Sequence, residues 1–266
     1  MRIPASPRST GGLEPNVVSY SSAITAYDRA EKWWAAHHVL VTFPMANVRA
    51  NVVSFNAGLS AFEVGAEWQK ALLLLHQMPS VRLGMDVISI GSAINACDSG
   101  ECWEMATQLL AGMGQAHLTP NAISYNSTIS SCGKGGQWEQ ALELLSRLQA
   151  ARLADVVGFN ATISACERSG SWEKALQVLL QMPEAGVLPD VISYNSAISA
   201  LERGSQHHLA LEILTQMPSA SVLPDVISYN ATIDACAGSG DWQQVLELFR
   251  DMSKASVPAD VITFNA

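Results

Sequence analysis

The chain repeats itself. A stretch reading Val-Ile-Ser-Tyr-Asn-x-x-Ile-x-Ala, then Trp-x-x-Ala-Leu, then Leu-Pro-Asp returns along nearly all of its 266 residues. The openings at Val17, Val52, Val87, Ala122, Val156, Val191 and Val226 lie 35 residues apart, except for one interval of 34. Repeats therefore run 17–51, 52–86, 87–121, 122–155, 156–190, 191–225 and 226–260, with the truncated start of an eighth at 261–266. Self-similarity at a fixed period of this size implies a stacked array, in which each unit is one supersecondary element that cannot bury its apolar face alone. Any function is then expected on a surface that recurs with the period.

Each repeat reads as two amphipathic helices. In the first half, apolar residues fall at i, i+4 and i+7, as in Phe159, Ile163 and Cys166 or Tyr229, Ile233 and Cys236. In the second half, Trp172, Ala175, Leu179 and Met182, and again Trp242, Val245, Phe249 and Met252, mark i, i+3, i+7 and i+10. Both spacings place one stripe toward a core. The segments between, 167–171 and 237–241, carry a glycine suited to the left-handed turn that ends a helix. Pro44, Pro79, Pro183 and Pro218 follow the last apolar residues of second helices, where a missing N–H and a fixed φ are expected to stop them. Pro120, Pro189 and Pro224 precede Asn121, Asp190 and Asp225, which stand where a side-chain oxygen caps the next helix. The expectation is an all-α array of seven helical hairpins with no strand and no internal boundary. Residues 1–16, rich in proline and small polar residues, are expected to form a disordered N-terminal segment.

Composition narrows the function. Apolar residues make up 48% of the chain but are spread by the period, and no run approaches the roughly 18 needed to cross a membrane. Cys97, Cys132, Cys166 and Cys236 share the eleventh repeat position, and Cys-x-x-Cys never occurs. They read as small buried apolar residues of a reducing compartment, not as metal ligands or disulfides. The histidine pairs 37–38 and 207–208 are adjacent on helices, and His207 stands in the tryptophan column. No metal, cofactor, phosphate loop or nucleophile–base constellation is indicated, so no enzyme is expected. Before Glu14 the chain carries Arg2 and Arg8 with Ser6 and Ser9 and no acid, a composition close to a transit peptide but short and barely amphipathic. Its end inside an eighth first helix, without a polar capping helix, leads us to expect a fragment or a truncated gene product.

With the repeated Val-Ile-Ser-Tyr-Asn, Ala-Leu and Leu-Pro-Asp in place, residues 15–266 resemble a pentatricopeptide repeat protein. Tetratricopeptide repeats run at 34 residues and lack both the Asn after Tyr and the closing Pro-Asp. The tryptophan that opens most second helices is unusual for the family, but its recurrence fits packing between repeats. The resemblance implies a right-handed α-solenoid of about seven helix-turn-helix repeats, whose first helices line a groove for single-stranded RNA, one nucleotide per repeat. It also implies residence in an organelle, chloroplast or mitochondrion, and a part in RNA processing, editing, stability or translation beside other RNA-processing proteins. Neither DNA nor a membrane is an expected partner.

In the family the fifth and last residues of a repeat read the base edge. Here these are Ser21 with Asn51, Asn56 with Asp86, Gly91 with Asn121, Asn126 with Asp155, Asn160 with Asp190, Asn195 with Asp225, and Asn230 with Asp260. The second residues, Val18, Val53, Ile88, Ile123, Val157, Ile192 and Ile227, are implied to sandwich the bases, and all are β-branched. Arg29, Lys134, Arg168 and Arg203, at position thirteen, are implied to face phosphates. By the family's code the footprint is A-U-N-U-U-U-U, uracil over cytosine.

Plain physics weighs beside the resemblance. Asp before an apolar helical run is an ordinary N-cap worth about 1 kcal/mol, and a cation near a first helix's C-terminus is favoured by its dipole. The Asn column resists such an account, because Asn is a poor helix former and stands one turn in, past the cap. An amide there presents a donor and an acceptor together. A net charge of −9 speaks against gathering a polyanion, which leads us to expect acids segregated to the second helices. The alternative is an α-solenoid scaffold that holds a protein and no RNA; the sameness of the Asn and Asp columns argues against it.

Overall fold

The computed structural model describes residues 16–42 and 49–265. The disordered leader expected at 1–16 lies outside the described residues, save for Asn16, and so does Pro44. Among the described residues the structure is all-helical, without a strand. The helices fall into two compact units, one ending at Gly100 and one beginning at Glu101, inside the third repeat. The first unit holds α1 (Val17–Arg29), α2 (Trp33–Thr42), α3 (Val52–Val64), α4 (Trp68–Gln77) and α5 (Val87–Ser99). The second holds α6 (Trp103–Gln115), α7 (Ala122–Lys134), α8 (Trp138–Ala150), α9 (Val156–Arg168), α10 (Trp172–Glu184), α11 (Val191–Arg203), α12 (His207–Gln216), α13 (Val226–Ser239), α14 (Trp242–Lys254) and α15 (Val261–Asn265). Within each unit the first helices of successive repeats pack on one another, and the second helices α2, α4, α8, α10 and α12 pack on their own first helix and on the next.

Capping explains where first helices begin. Asn16, Asn51, Asp86, Asn121, Asp155, Asp190 and Asp225 all have extended backbones, and their side-chain oxygens accept backbone N–H groups of the first turn. The Asp190 carboxylate takes the Ser193 N–H at 2.9 Å, and Asp86 takes that of Ser89 at 2.7 Å. The helix-to-helix turns share one device. A residue at position fifteen is left-handed in every repeat: Glu31, Ala66, Glu101, Gly136, Gly170, Ser205 and Gly240. The next N–H then returns to a carbonyl five residues back, as in Ser171 to Cys166 at 2.9 Å and Gln206 to Leu201 at 2.8 Å. This Schellman geometry pairs carbonyls that a helix end would otherwise orphan. The sequence marked the glycines at 170 and 240; the structure forces the same conformation on four residues that carry a Cβ.

One expected helix stop is displaced. Pro79 begins a 3-10 turn and Pro218 lies in another, but Pro183 sits inside the last turn of α10. A proline lacks only its own N–H, and its carbonyl still accepts from Gly186 at 3.0 Å, so the helix runs on to Glu184 before the left-handed Gly186 ends it.

The core is as periodic as the sequence. Position eight supplies Ile24, Leu59, Ile94, Ile129, Ile163, Ile198 and Ile233, all fully buried, and position twenty supplies Ala36, Ala71, Ala106, Ala141, Ala175 and Ala210. Each such isoleucine or leucine contributes about 1.5–3 kcal/mol relative to exposure. Cys97, Cys132, Cys166 and Cys236 are buried and form no disulfide, and burial pushes Cys132 and Cys166 up to about 11. A thiol held protonated in this way behaves as a small apolar side chain.

Tryptophan does pack between repeats, against a glycine of the following one. A Cβ built on Gly65, Gly100, Gly135 or Gly204 would fall 2.2–2.4 Å from Cδ1 of Trp33, Trp68, Trp103 or Trp172 respectively. Backbone and indole are therefore in direct contact. Lys70 adds its ammonium over the Trp33 ring at 3.9 Å.

Candidate nucleic-acid interface

Five of the pairs named from the sequence meet in space. The Asn56 amide donates to Asp86 at 3.3 Å, Asn126 to Asp155 at 2.9 Å, and Asn160, Asn195 and Asn230 to Asp190, Asp225 and Asp260 at 3.1 Å each. Asn stands one turn into a first helix and Asp at the cap of the next, so the stacking of helices joins them across about thirty residues of chain. In Asp190, Asp225 and Asp260 the side-chain bonds converge on Oδ1, which leaves acceptor capacity on the other oxygen.

Charge at this row is fixed by those bonds. Burial raises the carboxyls of Asp86, Asp190 and Asp225, but the N–H and hydroxyl of the serine three residues on, with the Asn amide, outweigh it and hold each below the ordinary value. Asp260 is lowered chiefly by the Thr263 N–H, then by its hydroxyl and by Asn230. These groups are anionic acceptors at neutral pH.

The second-position residues form the other half of the site. Val18, Val53, Ile88, Ile123, Val157, Ile192 and Ile227 are each between 56% and 65% exposed. Isolated exposed aliphatic residues are ordinary, but one at the second position of each of seven repeats, in five of them three residues before the Asn of an amide–carboxylate pair, needs a reason.

The first repeat differs. Ser21 does not meet Asn51 directly; its hydroxyl lies 2.9 Å from that of Ser54, whose hydroxyl donates to Asn51 at 2.8 Å. Gly91 and Asn121 belong to different units, and Asn121 caps α7 through the Ser124 N–H at 2.9 Å. Of the position-thirteen cations, Arg29, Arg168 and Arg203 are exposed, and Arg203 lies 3.8 Å from Glu167. Lys134 is half-buried at the end of α7.

Two columns have parts that sequence reasoning missed. Ser54, Ser89, Ser193 and Ser228 are fully buried at position three and link the pairs: each of the last three donates its hydroxyl to the preceding Asn Oδ1 at 2.6 Å. The signal was a hydroxyl recurring on a face that must be buried, since buried polar groups require partners. The second is acidic. Asp28, Glu63, Asp98, Glu167 and Glu202 occupy position twelve, on the same helix face as the Asn, and Asp234 lies one turn nearer. The first helices thus hold these six acids against Arg29, Lys134, Arg168 and Arg203, and the expected segregation of acids to the second helices does not occur. Burial raises Glu63, Glu167, Glu202 and Asp234, which lessens their negative charge. Among the described residues no group of His, Cys, Asp and Glu has the placement to hold a metal ion.

Known proteins carry the same architecture. The PPR repeat family matches residues 154–203, 189–238 and 224–266, the PPR repeat matches 123–153, and the pentatricopeptide repeat domain matches 73–135. No curated protein matches the chain. Among solved structures, the pentatricopeptide repeat protein PPR10 in complex with an 18-nt psaJ RNA element superposes with a TM-score of 0.82 at 20% identity, over 95% of this chain and 37% of that one. PPR10 from maize gives 0.61 at 17% identity, over 96% and 41%. The PPR domain of Arabidopsis thaliana protein-only RNase P 1 in complex with tRNA gives 0.55 at 14% identity, over 65% and 91%. The chain thus spans 37% of the first of these proteins. Matched from residue 73 to its end by repeats of one kind, and built of the helical hairpins that those repeats encode, the chain belongs to the pentatricopeptide repeat family.

Proposed function

We propose that this chain binds single-stranded RNA, one nucleotide to a repeat, with the footprint A-U-N-U-U-U-U and uracil favoured over cytosine. It acts as a binding module and not as an enzyme, in organellar RNA processing, editing, stability or translation. The observation that carries the reading is the exposed β-branched row set beside Asn–Asp pairs: flat apolar walls for a base ring, with a donor and an anionic acceptor at its edge. Val18, Val53, Ile88, Ile123, Val157, Ile192 and Ile227 sandwich the bases, and Arg29, Lys134, Arg168 and Arg203 lie nearest the phosphates.

The acidic column keeps a second reading in view, a scaffold that binds a basic protein segment along the first helices. Anisotropy titrations with labelled footprint RNA, a G-rich RNA and duplex DNA at two salt concentrations separate the two. RNA reading predicts preference for the footprint strand with a shallow salt slope, because few cations line the site. Equal or absent binding to all three would favour the scaffold.

A further inference from the structure

We propose that the third residue of the following repeat decides how strictly an Asn–Asp pair reads its base, so that five identical pairs divide into two classes. The inference rests on the RNA reading above and refines its uracil-over-cytosine preference.

In the pairs of Asn56, Asn160 and Asn195 the amide is held at both ends. Nδ2 donates to Asp86, Asp190 or Asp225, and Oδ1 accepts from the hydroxyl of Ser89, Ser193 or Ser228 at 2.6 Å. That hydroxyl also lies 2.7–3.0 Å from the same Asp Oδ1, so its one hydrogen is shared between two acceptors. A half-turn of the amide would set its carbonyl against the carboxylate, and any excursion breaks the serine bond. These three amides are locked with a donor toward the ligand.

Asn126 and Asn230 are held at one end only, where Nδ2 donates to Asp155 and Asp260. The residue after Asn126 in this register is Gly158, which has no hydroxyl, and the Asn126 Oδ1 is buried without a partner. A Cβ on Gly158 would lie 2.7 Å from that oxygen, so the amide has closed into the space a serine fills elsewhere. After Asn230 stands Thr263, whose hydroxyl donates to Asp260 at 2.8 Å and not to Asn230, and the Asn230 Oδ1 is again buried and unpartnered. A buried acceptor without a donor is unfavourable, and a ligand that brings a donor relieves it. Uracil presents carbonyls on either side of its N3–H, whereas cytosine brings an exocyclic amine. In every repeat, turning the carbonyl toward that amine gives up the amide's bond to the carboxylate, which the amine can then satisfy; in repeats four and seven no serine bond is lost besides. Repeats two, five and six reject cytosine; four and seven accept it.

The test uses the full chain and labelled A-U-N-U-U-U-U RNA with uracil replaced by cytosine singly at nucleotides 2, 4, 5, 6 and 7. The penalty is expected to be roughly fivefold larger at 2, 5 and 6 than at 4 and 7, the ratio equivalent to about 1 kcal/mol, the net value of one hydrogen bond. Ser193→Gly relaxes nucleotide 5 alone; glycine is compatible with this place, because Gly158 occupies it in α9 with the Asp155 cap intact at 2.9 Å. Gly158→Ser tightens nucleotide 4, displacing only the side-chain tips of Asn126 and Leu148, and decides the matter if Ser193→Gly melts early. Equal penalties at all five nucleotides, unmoved by either variant, overturn this inference while leaving RNA reading in place. Failure to prefer the uracil strand at all overturns both.

Discussion

Gly204→Ala is the sharpest probe of how repeats are joined. The added Cβ would sit 2.4 Å from Cδ1 and 2.8 Å from Cγ of Trp172, inside van der Waals contact with the rigid indole. Gly204 has φ −81° and ψ 1°, where alanine is unstrained, so the backbone term favours the substitution by about 0.4–1 kcal/mol. Overpacking opposes it by about 1–3 kcal/mol. The net is a loss of about 1–2 kcal/mol, with the lower end favoured by Ser169, which occupies the same repeat position after Trp138 and shows that a small side chain is accommodated there. Trp172 is half-buried, so Trp172→Ala costs about 2 kcal/mol, below the figure for a fully buried ring. With the ring gone the alanine no longer clashes, and Gly204→Ala becomes stabilising by about 0.5 kcal/mol. The cycle therefore shows a coupling of about 2 kcal/mol. Repeat arrays need not unfold in one step, so hydrogen exchange of α10 and α11 amides is the assay of choice, read beside urea melts. Gly114→Ala, whose Cβ meets nothing within 4 Å, is the control. An equal loss from Gly204→Ala in both backgrounds would refute the indole-on-glycine contact.

Stability should peak in mild acid. Glu63, Glu167, Glu202 and Asp234 are raised, so their charged forms are the costly ones in the fold, and acidification toward 4.5 from neutrality protonates the folded state first and stabilises it. Asp86, Asp190 and Asp225 are lowered, and their contribution, present above the ordinary 3.8, is lost as pH falls beneath it. A Tm that declines steadily from pH 7 to pH 5 would contradict this balance. Ile192→Ala, at a residue 61% exposed, should weaken footprint RNA several-fold while leaving the melting curve unmoved; a shifted melt instead would make the row a packing surface. Asn195→Thr should turn preference at nucleotide 6 from uracil toward guanine, and unchanged selectivity in a binding-site selection counts against base reading there. Ala66→Gly, at φ 52°, should stabilise by about 1 kcal/mol in a urea melt, since the left-handed region burdens every Cβ-bearing residue.

What the sequence revealed was position within a period. The helix starts at Val17, Val191 or Val226 were legible because a cap, an apolar stripe and a proline all act within a few residues. The pairing of Asn160 with Asp190 was inferred by resemblance, and geometry alone supplies the 3.1 Å bond. Contacts between repeats were hidden, because periodicity says which residues are equivalent and not which ones touch. Nothing in the period set Gly65 against Trp33 or put the Ser193 hydroxyl on Asn160. Pro183 was misplaced because a proline in a last turn removes one bond and leaves its carbonyl in use.

The left-handed joint at position fifteen has a further consequence. Every hairpin bends through the same backbone state, yet only Gly136, Gly170 and Gly240 enter it freely, while Glu31, Ala66, Glu101 and Ser205 are held there by the rest of their repeats. Robustness is thus adjustable hinge by hinge, at positions distinct in sequence from the columns proposed to face RNA, so an engineer can stiffen this chain and leave those columns as they are.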